Sequence, residues 1–298
     1  MADTVQTRAS RQLQRQGMVM FVAALLAFAV YDAFAKHMLA HYPATLMNLT
    51  RYAAVCSLAL IGLMRHGDWT VWQVWRQPHR KLLLLRSLML AIVATSFMTA
   101  LASMPLAEAT AIYFTAPLIM VALSPWLLGE AVGRVQWVAV LMGFAGMLLI
   151  VRPGGSLPLV GTLLMALSAI CYALFQVLTR RLSGLVPAPI QYAYMASVCL
   201  VVTNLPALLV PVERWPGWDE IAVLVAGGLV SGAAQLLLLA AFQRVSASVL
   251  APMNYLQLLL AVLISTFWFQ RPPDGMALVG MGVIGAAGLY LAWPRRLK

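Results

Sequence analysis

The chain has 298 residues, of which 62% are hydrophobic and only 10% charged, with a formal net charge of +11 and a mean hydropathy of +0.87. Soluble chains carry about a quarter of their residues as charges, so a soluble enzyme, a disordered chain and a nucleic-acid-binding protein are all excluded. Three cysteines are too few, and odd in number, for a disulfide framework.

A hydrocarbon core about 30 Å thick takes roughly 20 apolar residues per helix. In chain order, ten apolar runs meet that need: 18–38, 45–64, 82–101, 107–128, 134–151, 159–180, 188–210, 220–242, 247–269 and 275–293. None alternates with the period of a transmembrane strand. The predicted fold is an all-α integral membrane protein of ten spans, with no stretch left for a soluble catalytic domain. Span 1 follows Arg8, Arg11 and Arg15 and reaches Ala27-Phe28-Ala29, a pattern shared with cleaved signal peptides. Its match to span 6, below, marks it as a retained helix.

Lys and Arg set the orientation. With the N-terminus inside, 14 of the 20 fall in cytoplasmic segments. Lys36, Arg152, Arg214 and Arg271 fall outside, and Arg51 and Arg86 lie within spans. Both termini are therefore expected inside, and the net charge reads as topogenic. Trp69, Trp72, Trp75, Trp126, Trp137 and Trp293 fall at the inner boundary, and Trp215, Trp218 and Trp268 at the outer one, as an aromatic belt requires.

The two halves repeat. A shift of 144 lays spans 1–2 on spans 6–7: Gly17 meets Gly161, Phe28 meets Tyr172, Tyr31 meets Phe175, Asp32 meets Gln176, and Pro43-Ala44 meets Pro187-Ala188. A shift of 138 lays Ala109-Thr110-Ala111 of span 4 on Ala247-Ser248-Val249 of span 9, and 142 lays Gly143 to Gly146 on Gly285 to Gly288. The expected organisation is a cytoplasmic segment 1–17, a repeat 18–151 and a repeat 159–293. Five spans per repeat is odd, so the repeats cross the bilayer in opposite directions. Secondary transporters use such inverted repeats, with the substrate held near the midplane between them.

The stretch "ALASMPLAEATAIYFTAPLIMVALSPWLLGEAVGRVQWVAVLMGFAGMLLIV", Ala100 to Val151, resembles the second part of an EamA domain, the repeat unit of the drug/metabolite transporter superfamily. Pro117, Gly129-Glu130 and Gly143 to Gly146 stand where that pattern has its proline, its Gly-Glu and its glycine-rich fifth helix. Pro43 and Arg51-Tyr52 resemble its proline and Arg-aromatic pair in helix 2. The second repeat departs from it, with Met195 opposite Arg51 and Gln270-Arg271 near the counterpart of Glu130. The general look is similar to bacterial ten-helix exporters of amino acids and related metabolites, the aromatic amino-acid exporters included.

Ionisable residues within spans are costly, so they are candidates for function. Asp32 lies about six residues before the outer end of span 1 and Arg51 about six after the outer start of span 2. At 1.5 Å rise per residue both sit roughly 9 Å deep, close enough in depth to pair. They read as a gate or zwitterion clamp, or as a structural ion pair. Arg86 reads as snorkelling to the cytoplasmic surface, and Glu108 and Glu130 as charges favoured at helix N-termini.

The candidate cavity lining is neutral and aromatic. Tyr172, Gln176 and Thr179 share a face of span 6, with Phe28, Tyr31 and Asp32 as their counterparts in span 1. Tyr113, Pro117 and Ser124 share a face of span 4, and Ser231 and Gln235 one of span 8. Span 9 is unusually polar, with Pro252, Asn254, Tyr255 and Gln257. Pro117 and Pro252 are candidate hinges, because proline removes a helix hydrogen bond. The pairs Ala139/Gly143, Gly228/Gly232 and Gly282/Ala286 allow close helix approach, within the chain or across a dimer.

No metal site is expected, because His37 and His41 alone do not make one, and no phosphate-binding loop is present. The sequence therefore reads as a multi-pass protein of the bacterial inner membrane, monomeric or homodimeric, without cofactor or nucleic-acid partner and not an enzyme. It would export amino acids or similar small molecules by alternating access. A passive channel and a membrane-embedded lipid-modifying enzyme are the alternatives.

Overall fold

The computed structural model describes residues 2–66, 74–127, 133–151, 157–182, 185–205, 215–242, 244–245 and 251–292. At 2–11, 65–66, 124, 135–136, 180, 188, 239, 242, 251–252, 255 and 291–292 this covers the backbone alone. These residues form α1 (Ala2–Met38), α2 (Ala44–His66), α3 (Arg80–Ser103), α4 (Leu106–Tyr113), α5 (Ala116–Leu127), α6 (Arg134–Val151) and α7 (Leu159–Leu182). They continue as α8 (Ala188–Val202), α9 (Trp218–Phe242), a 3₁₀ turn (Ala251–Asn254), α10 (Tyr255–Phe267) and α11 (Gly275–Ala292). Among the described residues no strand occurs.

Among the described residues, six stretches are long and apolar enough to cross a bilayer: Gln12–Met38, Ala44–Met64, Arg80–Ser103, Leu106–Leu123, Leu159–Thr179 and Trp218–Leu238. Four shorter apolar helices, Trp137–Val151, Pro189–Val202, Leu256–Phe267 and Gly275–Tyr290, occupy the other predicted spans. Two sequence boundaries shift. α1 starts well before residue 18, because Arg, Gln and Ala are good helix formers and no Gly or Pro stands before Gly17. Span 4 is two helices, α4 and α5, broken at Phe114-Thr115.

The short loop 39–43 puts the end of α1 beside the start of α2. Lys36 Nζ, on the last turn of α1, donates to the carbonyls of Leu101 (2.6 Å), Ala102 (3.3 Å) and Met104 (2.8 Å). These carbonyls have no partner within α3, so the lysine closes that helix and places its C-terminus at the α1–α2 loop end.

Packing follows one rule. α1 lies along α9 as α3 lies along α7, and α2 meets α9 as α8 meets α3. α2 with α8, α4 with α10 and α6 with α11 form self-related pairs. Exchanging the first five spans with the last five leaves this set unchanged. Single glycines obey the same exchange: Gly17 abuts Ala241, Arg244 and Val245 at the end of α9, and Gly161, 144 residues on, abuts Ser103 and Met104 at the end of α3. Of the six longer stretches, Leu106–Leu123 is the most enclosed, two thirds (67%) buried, against 28% for Trp218–Leu238.

Gly146 and Gly280 form the α6–α11 crossing. A Cβ on Gly146 would stand 2.7 Å from the Gly280 carbonyl oxygen, whereas one on Gly282 meets nothing within 4 Å. Gly146→Ala is therefore expected to cost about 1–3 kcal/mol, because backbone cannot yield to the added methyl. Gly282→Ala should stay within about 0.5 kcal/mol. Thermal unfolding of the purified protein in detergent measures both. Gly228 and Gly232 pack against Thr50–Leu58 of α2, so that small-residue pair serves a contact within the chain.

Candidate functional site

A cavity of about 120 Å³ opens between the halves. It is lined by Leu25, Phe28 and Asp32 of α1; Arg51 and Tyr52 of α2; Leu90, Val93, Ala94 and Phe97 of α3; and Tyr113, Phe114 and Pro117 around the α4–α5 break. Tyr172 and Gln176 of α7, Gln235 and Leu238 of α9, and Asn254 and Gln257 at the start of α10 complete it. The sequence candidates Phe28, Asp32, Arg51, Tyr113, Pro117, Tyr172, Gln176, Gln235 and Asn254 thus meet around one space. Tyr31 stands behind the wall, 1% exposed, in the apolar cluster with Ala35, Leu46 and Met47. The side chains of Ser124, Pro252 and Tyr255, and all of Glu130, lie outside the described residues.

Asp32 and Arg51 do not form the direct ion pair that their equal depth suggested. Gln257 Nε2 donates to Asp32 Oδ2 at 3.1 Å. The Arg51 guanidinium instead lies over the rings of Tyr31 (4.8 Å) and Tyr52 (5.5 Å). Depth along a helix does not set the direction in which a side chain leaves it, and here aromatic faces intervene. Arg51 Nε is buried with no hydrogen-bond partner, as are Tyr31 Oη and Ser231 Oγ. A buried, unpaired donor costs free energy, and Arg51 is one of the residues that line the cavity.

The break in span 4 has a local cause. Pro117 has no N–H to give the carbonyl of Tyr113 four residues back. The chain turns at 114–115, where Thr115 N bonds Ile112 O at 3.1 Å, and restarts with Pro117 in the first turn of α5, a position that tolerates proline. In span 9, Pro252 lies in the 3₁₀ turn Ala251–Asn254, which passes into α10 at Tyr255. The α4–α5 break faces the cavity through Phe114 and Pro117, and the 3₁₀ turn faces it through Asn254.

An aromatic wall runs from the cavity into the bundle. Phe97 meets Tyr113 edge-on at 5.1 Å, Tyr113 meets Tyr172 at 4.9 Å, and Tyr172 stacks on Phe175 at 5.9 Å and 16°. Arg86 ends this chain and does not snorkel to the surface. It is 6% exposed, held by Thr179, the Gln191 carbonyl and the Phe175 ring. Thr179 accordingly serves Arg86 and leaves the lining to Tyr172 and Gln176. Glu108 occupies the first turn of α4, as expected. Tyr52 was marked in the sequence only as part of the Arg-aromatic pair, and Phe97 and Phe114 had no candidate role. Apolar and aromatic residues abound in every span, so only their place beside the helix break marks the last of them.

Comparison with known proteins agrees with this architecture. The model of the EamA-like transporter family matches twice, at residues 15–152 and 159–293. An S-adenosylmethionine uptake transporter of Rickettsia bellii is 27% identical over 72% of this chain and 72% of its own length. A riboflavin transporter of Vibrio cholerae is 27% identical over 90% of each chain. A pseudopaline exporter of Pseudomonas aeruginosa is 27% identical over 94% of this chain and 97% of its own. One solved crystal structure superposes with a TM-score of 0.67 at 21% identity, covering 92% of this chain and 96% of its own, a likeness of fold. With two copies of the family's unit spanning nearly the whole chain, and a cavity built between them, the protein is a multi-pass membrane protein of the EamA-like transporter family.

Proposed function

We propose that this chain is a secondary transporter that exports amino acids or related small metabolites across the bacterial inner membrane by alternating access. Its ten spans form two inverted repeats with both termini inside, and it performs no enzymatic turnover. One observation carries the substrate reading: a single polar-aromatic cavity holds the Asp32 carboxylate and an Arg51 Nε with no partner. Carboxylate for ammonium and guanidinium for carboxylate is the pairing a zwitterion needs. The tyrosines and amides suit an organic solute better than a bare ion, and the relatives carry names of organic cargo. Export is the direction of the pseudopaline exporter, which matches over 94% of this chain.

The exchange rule in the packing supports motion of one half against the other about the helix breaks, where such carriers place their sites. The cavity, at about 120 Å³, is smaller than the roughly 300–1,000 Å³ of ligand pockets. The halves must part to admit substrate, which favours a carrier over an open pore. In proteoliposomes preloaded with unlabelled amino acids, saturable counterflow of a labelled one is expected, with competition across the amino acids ranking substrates. Single-channel currents, or no counterflow with any amino acid, would sink the reading.

A further inference from the structure

A half-buried arginine, Arg51, lines the cavity toward one end of the bundle, and a buried arginine, Arg86, lies outside the lining toward the other. Arg51 lies two turns into α2, at the α1–α2 loop end, over the Tyr31 ring at 4.8 Å. Arg86 lies two turns into α3, whose C-terminus Lys36 ties to that same end, so Arg86 belongs to the opposite end. There its Nε donates to Thr179 Oγ1 at 2.7 Å, an Nη donates to the Gln191 carbonyl at 3.3 Å, and the guanidinium covers the Phe175 ring at 4.5 Å.

These two rings are repeat partners, since a shift of 144 lays Tyr31 on Phe175. The arginines are not. The same shift lays Arg51 on Met195, which is 2% exposed in the apolar cluster of Phe175. On α9, which packs along α1 as α3 packs along α7, Leu224 is 1% exposed in the apolar cluster of Tyr31, Ala35 and Met47. The related shift of 144 lays Ala35 on Thr179 and Met47 on Gln191, so the two neighbourhoods correspond. Each end thus has one guanidinium on the span 1 or span 6 ring, supplied by a different helix and replaced by an apolar residue at the other end. Symmetric packing has been given two chemically distinct closures.

Only one of these closures touches the cavity directly. Arg51 lines it, whereas Arg86 reaches it through Phe175 and the stacked Tyr172. Around Arg86 the contacts tie α3 to both α7 and α8, which are the helices that must separate if this end is to open.

We infer that Arg86 is a positioning residue that latches the end of the cavity opposite Arg51, by holding α3 to α7 and α8 through Phe175, Thr179 and the Gln191 carbonyl. This rests on the alternating-access reading, in which the two ends open in turn. The latch breaks when α7 moves from α3, and Tyr172 swings with Phe175, clearing that mouth. Arg51 lies instead over Tyr31 of α1 and Tyr52 of its own helix and lines the cavity, so the two arginines differ in consequence: Arg51 sets affinity and Arg86 sets which end is open.

Side-specific labelling tests this. Cys56, Cys171 and Cys199 are replaced by Ser or Ala, and Gln176→Cys serves as reporter on the cavity wall. A membrane-impermeant maleimide is then applied to sealed vesicles of either orientation. Phe175→Leu and Arg86→Met are expected to raise labelling from the Arg86 end roughly tenfold, about the worth of a desolvated cation–π contact, and not from the Arg51 end. Arg86→Lys, which keeps the charge but loses the planar stack, should fall between the parent and Arg86→Met. Phe175→Leu leaves the arginine charge in place, so it decides the matter even if Arg86→Met does not fold. An unchanged ratio between the two ends in Phe175→Leu and Arg86→Lys overturns the latch, as does an equal rise at both ends, which is what general loosening gives. The labelling needs no substrate, so a failed counterflow assay would remove the substrate reading while the ratio still judges the latch.

Discussion

Asp32→Asn is expected to abolish concentrative export while leaving the protein folded. The carboxylate stands on the cavity wall and accepts from Gln257 Nε2 at 3.1 Å. Asparagine keeps the size and an acceptor oxygen for that glutamine but removes the charge. A hydrogen bond to a charged group is worth about 1.5–3 kcal/mol, so affinity for a substrate ammonium should fall roughly 10–100-fold. If Asp32 also carries the coupling proton, accumulation against a gradient disappears and exchange at saturating substrate persists. The measurement pairs counterflow with pH-driven uptake in the same vesicles, and adds an N-acetylated analogue that lacks the ammonium. Unchanged gradient-driven transport would dismiss the proton-carrier role. An equal loss for the N-acetylated analogue would assign Asp32 to structure.

Arg51→Met should produce the second large loss, specific to the other end of the substrate. The guanidinium lies over Tyr31 and Tyr52, and its Nε has no partner in the protein. Methionine fills similar apolar volume and matches Met195 at the repeat-related position, so the packing cost is moderate. The cost in recognition is not, because a bidentate guanidinium–carboxylate contact is lost. Affinity for a free carboxylate is expected to drop roughly 10–100-fold, by the worth of a charge-assisted bond, and the methyl ester of the same amino acid should bind parent and variant alike. Arg51→Lys should recover only part, since an ammonium has neither the fork nor the flat stacking surface. A variant that loses ester and acid equally would show that Arg51 only holds α1 to α2.

Much of the cavity was legible in one dimension because helical spacing decides which residues share a face. Tyr172 and Gln176, four apart, and Phe28 and Asp32, four apart, point the same way on any α-helix. The polar start of span 9 stood out because amides are rare in lipid-facing helices. The Asp32–Arg51 pair and the snorkelling of Arg86 misled for a shared reason. Both arguments used depth along a straight helix, which says nothing of the neighbour that a side chain meets. Arg86 has the reach for water, yet α7 and α8 cover it with a threonine hydroxyl, a carbonyl and a ring. Phe97 carried no signal, since an aromatic residue in an apolar span reads the same whether it faces lipid, core or cavity, and Tyr52 stood out only through its resemblance to the family's Arg-aromatic pair.

What the sequence by itself determined is set by local chemistry. The bilayer admits only helices whose backbone groups are internally satisfied, so apolar run length and turn residues mark the spans. Repeat shifts of 144, 138 and 142 residues mark two related halves in the sequence, and the family model matches twice, at residues 15–152 and 159–293. The tertiary structure decided what depends on contacts between distant segments. It put Gln257, not Arg51, on Asp32, spread Arg51 over two tyrosine rings, and gave Arg86 to Phe175. The physical reason is that helix spacing limits a residue to a face, whereas its partner depends on the rotation and approach of another helix. Those are set by small residues such as Gly146, Gly228 and Gly280, whose effect appears only once both helices are in place.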